Sequence, residues 1–223
     1  MRILIACEES QTVCIEMRKR GHEAFSCDLI PTSGLHPEWH IQGDVLEYLG
    51  KNKYNDFKGW DMMVGFPPCT DIAVSGSGSF EQKIKDGRQQ KSIEFFMKIV
   101  NSPIEKVAIE NPIGIMSTQY KKPDQIIHPY YFGDAYAKST CLWLKNLPKL
   151  IHSNIDTLFE KQTHIDPEYL LYKSSKTKSG YSKYSKFGKL GKGKGKERSI
   201  TPYGFAKAMA EQWTEDLNQT FIK

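Results

Sequence analysis

The segment Gly65-Phe66-Pro67-Pro68-Cys69-Thr70-Asp71 places one thiol directly behind two prolines. Proline has no N–H for a sheet ladder and a fixed φ, so the pair ends a strand and stiffens the chain where the cysteine leaves it. A sulfur mounted in this way is a candidate nucleophile, because covalent catalysis gains from a reacting atom that is already positioned. From Cys69 it is 41 residues to Glu110, where Ile109-Glu110-Asn111-Pro112 sets a carboxyl and an amide before a further proline. A carboxyl acts as an acid near neutrality only where burial raises its pKa. The plainer alternatives are a buried core cysteine and a glutamate that caps or pairs.

The elements that must position these groups are legible as alternating apolar runs. RILIAC (2–7), HEAFSCDL (22–29), a short run before Asp44 in WHIQGDVLEYL, WDMMVGF (60–66) and KVAIENP (106–112) read as five strands, and AKSTCLWL (137–144) as a sixth. Helical patterns lie between them. Val13, Ile15 and Met17 sit among charged residues before Gly21, and Ile93, Phe96, Met97 and Val100 recur at three- and four-residue spacing. Near the C-terminus Phe205, Ala208, Met209 and Trp213 share one helix face, which is expected to return and pack on the sheet. The alternation predicts an α/β, doubly wound sheet, in which ligands bind beyond the carboxyl ends of the strands. Polar residues end strands one to five in turn: Glu8 and Glu9, Asp28, Asp44, Cys69 with Thr70 and Asp71, and Glu110 with Asn111. Any strand that reaches the surface ends on something polar. Five in register, with a thiol among them, mark one edge of the sheet as the candidate site.

At 223 residues the chain suits one domain with a small insertion, and its 39% hydrophobic and 26% charged content is that of an ordinary globule. The expected division is 1–150 for the main domain, 151–198 for the insertion and 199–223 for a closing helix. No apolar run approaches the roughly 20 residues of a membrane span. Glu8 and Glu9 cut the first apolar run too short for a signal-peptide core, so a cytoplasmic location is expected. The five cysteines are odd in number, contain no CxxC pair and fit no zinc spacing, so reduced thiols and no metal are expected.

Charge is unevenly distributed. Residues 173–198 hold nine Lys, one Arg and one Glu, a net +9; against a whole-chain net charge of +5 this leaves the remainder at −4. The lysines are interleaved with Tyr181, Tyr184 and Phe187, as in segments that combine phosphate contacts with base stacking. Lys183, Lys186, Lys189, Lys192, Lys194, Lys196 and Arg198 are therefore candidate nucleic-acid ligands, with DNA as the expected partner. A solvated loop is the plainer reading of the same residues.

With GFPPCT and IENP in this order, the chain resembles the cytosine-5 DNA methyltransferase family. In that family a Pro-Cys nucleophile follows the fourth strand and a Glu-Asn pair follows the fifth, at a spacing like that of Cys69 and Glu110. RSITP (198–202) with GFAKAMAEQW is similar to the family's closing motifs, and the whole chain looks like small phage-encoded proteins of this type. The resemblance implies a Rossmann-like S-adenosylmethionine-dependent methyltransferase fold, with S-adenosylmethionine as cofactor. It implies that the Cys69 thiolate adds to carbon 6 of a flipped cytosine and that protonated Glu110 supports N3. Asn111 would orient that glutamate or its loop, and Lys138 would bind the base carbonyl or a phosphate. Asp28 and Asp44 match the family's cofactor-binding acids, and Glu8, Glu9 and Pro67 complete the implied cofactor set. The family's Phe-x-Gly-x-Gly loop is here ACEESQ (6–11), without glycine; its glutamine after the cysteine is Thr70; and its Arg-x-Arg pair aligns on Lys138-Ser139-Thr140. Two other readings use the same residues: an enzyme modifying a free pyrimidine nucleotide with a different one-carbon donor, and a nucleic-acid-binding relative with weak catalysis.

Overall fold

The computed structural model describes residues 1–50, 59–158, 160–175, 177–185 and 199–215. Seven strands form one sheet: β1 (Arg2–Ala6), β2 (Glu23–Asp28), β3 (His40–Gln42), β4 (Met62–Gly65), β5 (Lys106–Pro112), β6 (Gln125–Ile127) and β7 (Thr140–Lys145). Their spatial order is β3-β2-β1-β4-β5-β7-β6. β1 to β5 pair in parallel, whereas β7 runs antiparallel to both β5 and β6. This is a doubly wound Rossmann-like sheet, the class that the alternating pattern predicts, with one strand reversed near its edge. The order reverses between β1 and β4, and that switch point is where such sheets leave a ligand crevice.

The period-2 pattern of the strands separates two apolar layers. Ile3 and Ile5 of β1, with Met62 and Val64 of β4, face α1 (Thr12–Lys19) and the C-terminal helix. Leu4 and Ala6, with Met63, face α3 (Arg88–Val100) through Phe96 and Ile99. Both layers are fully buried at these positions, which is why the strands read as near-continuous apolar runs. α1 ends as its sequence indicates: Gly21 takes φ +82°, its N–H reaches the Arg18 carbonyl at 2.9 Å, and the chain turns into β2.

α2 (Phe80–Lys85) and α4 (Met116–Gln119) are short and flank the loops after β4 and β5. The C-terminal helix α5 (Tyr203–Thr214) buries Phe205, Met209 and Trp213 against the α1 layer. Its start is tied down by the Gly204 N–H, which donates to the Asp134 carboxylate at 2.8 Å. Two parts of the pattern differ from the sequence expectation. β6 is a three-residue strand that the apolar pattern does not mark, so the run 137–144 supplies the seventh strand and begins only at Thr140. Residues 169–185 form a separate antiparallel hairpin, β8 (Tyr169–Lys173) with β9 (Tyr181–Ser185).

Candidate active site

The switch point brings two loops side by side. The Phe66 N–H donates to the Ala6 carbonyl at 2.9 Å, so the segment leading into Pro67-Pro68-Cys69 starts against the end of β1. Pro67 is buried, Pro68 exposed and Cys69 half-buried. Three groups then fix the cysteine loop. The Cys69 carbonyl accepts from the Ile72 and Ala73 N–H groups at 3.1 and 2.9 Å, closing a turn. The Asn111 side chain, buried in β5, donates to the Pro67 carbonyl at 2.8 Å. Lys83 of α2, 5% exposed, donates to the Thr70 carbonyl at 2.5 Å. Beyond it Val74 and Gly114 bring the loops after β4 and β5 together, through the Val74 N–H on the Ile113 carbonyl and an antiparallel bridge at Ala73.

Glu110 and Asn111 lie inside β5 and not at its end, because β7 extends the pairing: Glu110 opposes Leu142 and Asn111 opposes Cys141. Burial raises the Glu110 pKa, against the opposing pull of the Lys138 charge and a hydrogen bond from Thr140. Burial also raises the Cys69 pKa. The Glu110 carboxylate raises it further, while Lys138 lowers it. Cys69, Glu110 and Lys138 therefore sit within electrostatic reach of one another, although the chain brings them from three separate loops and strands. Thr140, where the resemblance expects an arginine, is buried and bonds to Glu110. Tyr136 joins the group: burial, then Asp134 and Glu110, push its phenol pKa up. The sequence carried no signal for Tyr136 or Lys83, since neither belongs to a motif and both meet the site only through folding.

In the loop after β1, ACEESQ (6–11) holds strain where the resemblance expects glycine. Cys7 has φ +59° and Gln11 φ +61°, so two non-glycine residues adopt the left-handed conformation within one loop. Each such residue costs on the order of 1 kcal/mol or more and persists only where its surroundings over-determine it. Gln11 shows how: fully buried, it donates to the His36 carbonyl at 2.7 Å and accepts from the His36 N–H at 3.1 Å, clamping the loop after β2. Gly34 passes so close to this amide that a Cβ there would collide with its oxygen.

Glu8 turns inward and not to the crevice. It is 4% exposed, and its two oxygens accept from the Val13 and Cys14 N–H groups at 2.7 and 3.2 Å, at the start of α1. Burial raises its pKa to about 7 even though those helix N–H groups and their dipole favour the anion. Glu9 accepts from the Ser33 N–H at 2.9 Å. Asp28 ends β2 half-buried, and Asp44 is exposed and caps the following turn through the Leu46 N–H at 3.0 Å. Both acids press the Cys7 thiol toward its neutral form, after burial itself, so the ends of β1, β2 and β3 meet around Cys7.

Of the candidate nucleic-acid residues, Lys183 lies in β9 and is exposed; Lys186, Lys189, Lys192, Lys194, Lys196 and Arg198 lie outside the described residues. Lys183 opposes Leu171, and Tyr181 opposes Lys173. Alternation puts Tyr169, Leu171, Lys173, Tyr181 and Lys183 on one face, all exposed. Tyr184 lies on the other face, edge-on to Tyr172 at 5.6 Å. Among the described residues no group of three or more His, Cys, Asp or Glu side chains could hold a metal ion, and no helix is long and apolar enough to cross a membrane.

No protein-family model and no curated protein matches the chain. Among solved structures the chain is similar, over 65% of its length, to the crystal structure of a candidate DNA modification methyltransferase encoded within an E. coli prophage. The identity is 15% and the TM-score 0.43, and the chain spans 46% of that protein.

Proposed function

We propose that the protein is a DNA cytosine-5 methyltransferase-like enzyme that uses S-adenosylmethionine. The observation that carries this reading is the electrostatic coupling of Cys69, just past the end of β4, with Glu110 inside β5 and Lys138 before β7. Carbon 5 of cytosine is a poor nucleophile. Addition of the Cys69 thiolate to carbon 6 forms an S–C bond and moves the ring π pair toward carbon 5, which becomes enamine-like. Negative charge then builds on the N3 side, where a protonated Glu110 donates; its burial favours that protonated form. Lys138 balances the charge of the thiolate. Carbon 5 would then take the methyl group from the donor's sulfonium, whose sulfur leaves as a neutral thioether, and loss of the carbon-5 proton to a base with departure of the thiolate would restore the aromatic ring.

S-adenosylmethionine, when bound, supplies the electrophilic methyl group. The residues of the crevice suit such a molecule. The Val13 and Cys14 N–H groups at the start of α1, where doubly wound folds often seat a phosphate, are already taken by Glu8. A cofactor without phosphate needs neither. Glu9, Asp28 and Asp44 would offer carboxylates to ammonium and hydroxyl groups, and Pro67, buried, stiffens the loop beside the end of β1. The hairpin face of Tyr169, Lys173, Tyr181 and Lys183 continues in sequence into the lysine-rich stretch, which supports DNA as the partner over a free nucleotide.

The test is incubation of the protein with methyl-labelled S-adenosylmethionine and either DNA or dCMP. Label in the cytosine of DNA, absent with Cys69→Ala, is expected. Label in dCMP alone would shift the reading to a nucleotide-modifying enzyme, and equal labelling by Cys69→Ala would end the covalent scheme.

A further inference from the structure

Beneath the cysteine loop lies a buried cation that no motif marks. Of the three groups that fix this loop, the Asn111 amide and the turn at Cys69 are neutral, and Lys83 alone brings charge. Its ammonium donates to the Thr70 carbonyl at 2.5 Å and reaches the Gly76 carbonyl at 3.5 Å. It also pairs with the Asp71 carboxylate at 3.5 Å and stands 5.6 Å from the centre of the Phe80 ring. A lysine is seldom 5% exposed, because its ammonium leaves water at a large penalty unless its protons are well bonded. A neutral side chain could tie a short loop with a smaller desolvation penalty, so the charge itself calls for a role.

We propose that Lys83 is a positioning residue for Cys69: it holds the carbonyl of the residue that follows the thiol and sets a fixed positive charge near the sulfur. The inference rests on the reading of Cys69 as nucleophile for its purpose, but not for its test. Among the described residues, four charged groups face this pair from the surrounding elements. Asp71 faces Lys83 from the loop itself and is shared with Arg88 of α3 at 3.9 Å. Glu110 and Lys138 face Cys69 from β5 and from the segment before β7. Gln89 of α3 braces the far side of the loop through the Asp71 carbonyl at 3.3 Å.

Three variants separate charge from tethering. Lys83→Gln retains a donor for the Thr70 carbonyl and removes the charge. Lys83→Arg keeps the charge, and Asp71→Asn leaves the Lys83 charge without its partner anion. The readout is the pH midpoint of Cys69 alkylation by iodoacetamide, followed by intact mass with Cys69→Ser as the blank. The midpoint should rise by about half a pH unit or more in Lys83→Gln, stay within about 0.2 in Lys83→Arg, and fall in Asp71→Asn. An unmoved midpoint in Lys83→Gln, or a rise in Asp71→Asn, overturns the proposal and leaves Lys83 a structural tether. Should Lys83→Gln fail to fold by circular dichroism, the direction in Asp71→Asn decides alone. The measurement uses neither cofactor nor DNA. A protein that modifies no base can therefore still show these shifts, and flat midpoints would leave the methyl-transfer reading standing.

Discussion

At the scale of single residues, the site turns on one proton between two acids. Burial raises the pKa of both Cys69 and Glu110, and the Glu110 carboxylate further disfavours the thiolate, so the pair resists losing its last proton. Lys138 works against both shifts. This makes Glu110→Gln diagnostic. Removing the carboxylate should speed alkylation of Cys69 at neutral pH, because a cause of the raised thiol pKa is gone. The same change should slow cytosine modification by about 100-fold or more, as expected for loss of a general acid. Two readouts moving in opposite directions distinguish an acid from a mere brace; slowed alkylation would rule out the electrostatic link between the two groups. Asn111 has the bracing role, since its amide is committed to the Pro67 carbonyl.

At the scale of elements, α1 carries the least expected feature. Its N-terminus is capped by a buried carboxylate from the preceding loop, and Gln11 enters the helix from a left-handed conformation. Burial lifts the Glu8 pKa in the folded state from its ordinary 4.5 to about 7. The folded state thus holds its proton more tightly than the unfolded chain. The stabilisation is full below pH 4.5 and is lost as pH rises through about 7. A shift of this size corresponds to stability on the order of 3 kcal/mol across that window. Glu8→Gln should remove this dependence, so the variant's Tm relative to the native protein should climb from pH 5 to pH 8. A constant difference would show that Glu8 does not titrate there.

The strands around this helix were legible because β1, β2, β4 and β5 are largely buried and leave apolar runs. β6 spans only Gln125–Ile127, too short for a period to register, and β8–β9 is mostly exposed and so leaves no burial pattern. Within the site, Cys69 and Glu110 could be read from prolines and spacing. Glu8 was legible as an acid at a strand end, but its inward turn depends on the packing of α1. Lys83 and Tyr136 have no local pattern at all, because the groups they meet are brought to them by folding.

At the scale of the whole molecule, charge is separated. The segment 173–198 carries +9 and the remainder −4, and Glu9, Asp28 and Asp44 stand at or just past the ends of β1, β2 and β3. A polyanion is repelled by the acidic remainder unless the basic segment holds it. DNA affinity should therefore fall steeply with salt. Replacing Lys183, Lys186, Lys189, Lys192, Lys194 and Lys196 by Gln should flatten the log–log slope by about 0.9 for each duplex phosphate no longer neutralised. An unchanged slope would place DNA elsewhere on the protein. Cysteine-dependent methylation of DNA is tested most directly by mass spectrometry of the nucleosides in DNA from cells expressing the protein, beside cells expressing Cys69→Ala. The first sample should contain 5-methylcytosine above background and the second none; unmodified cytosine in both, or the same product in both, would refute the mechanism.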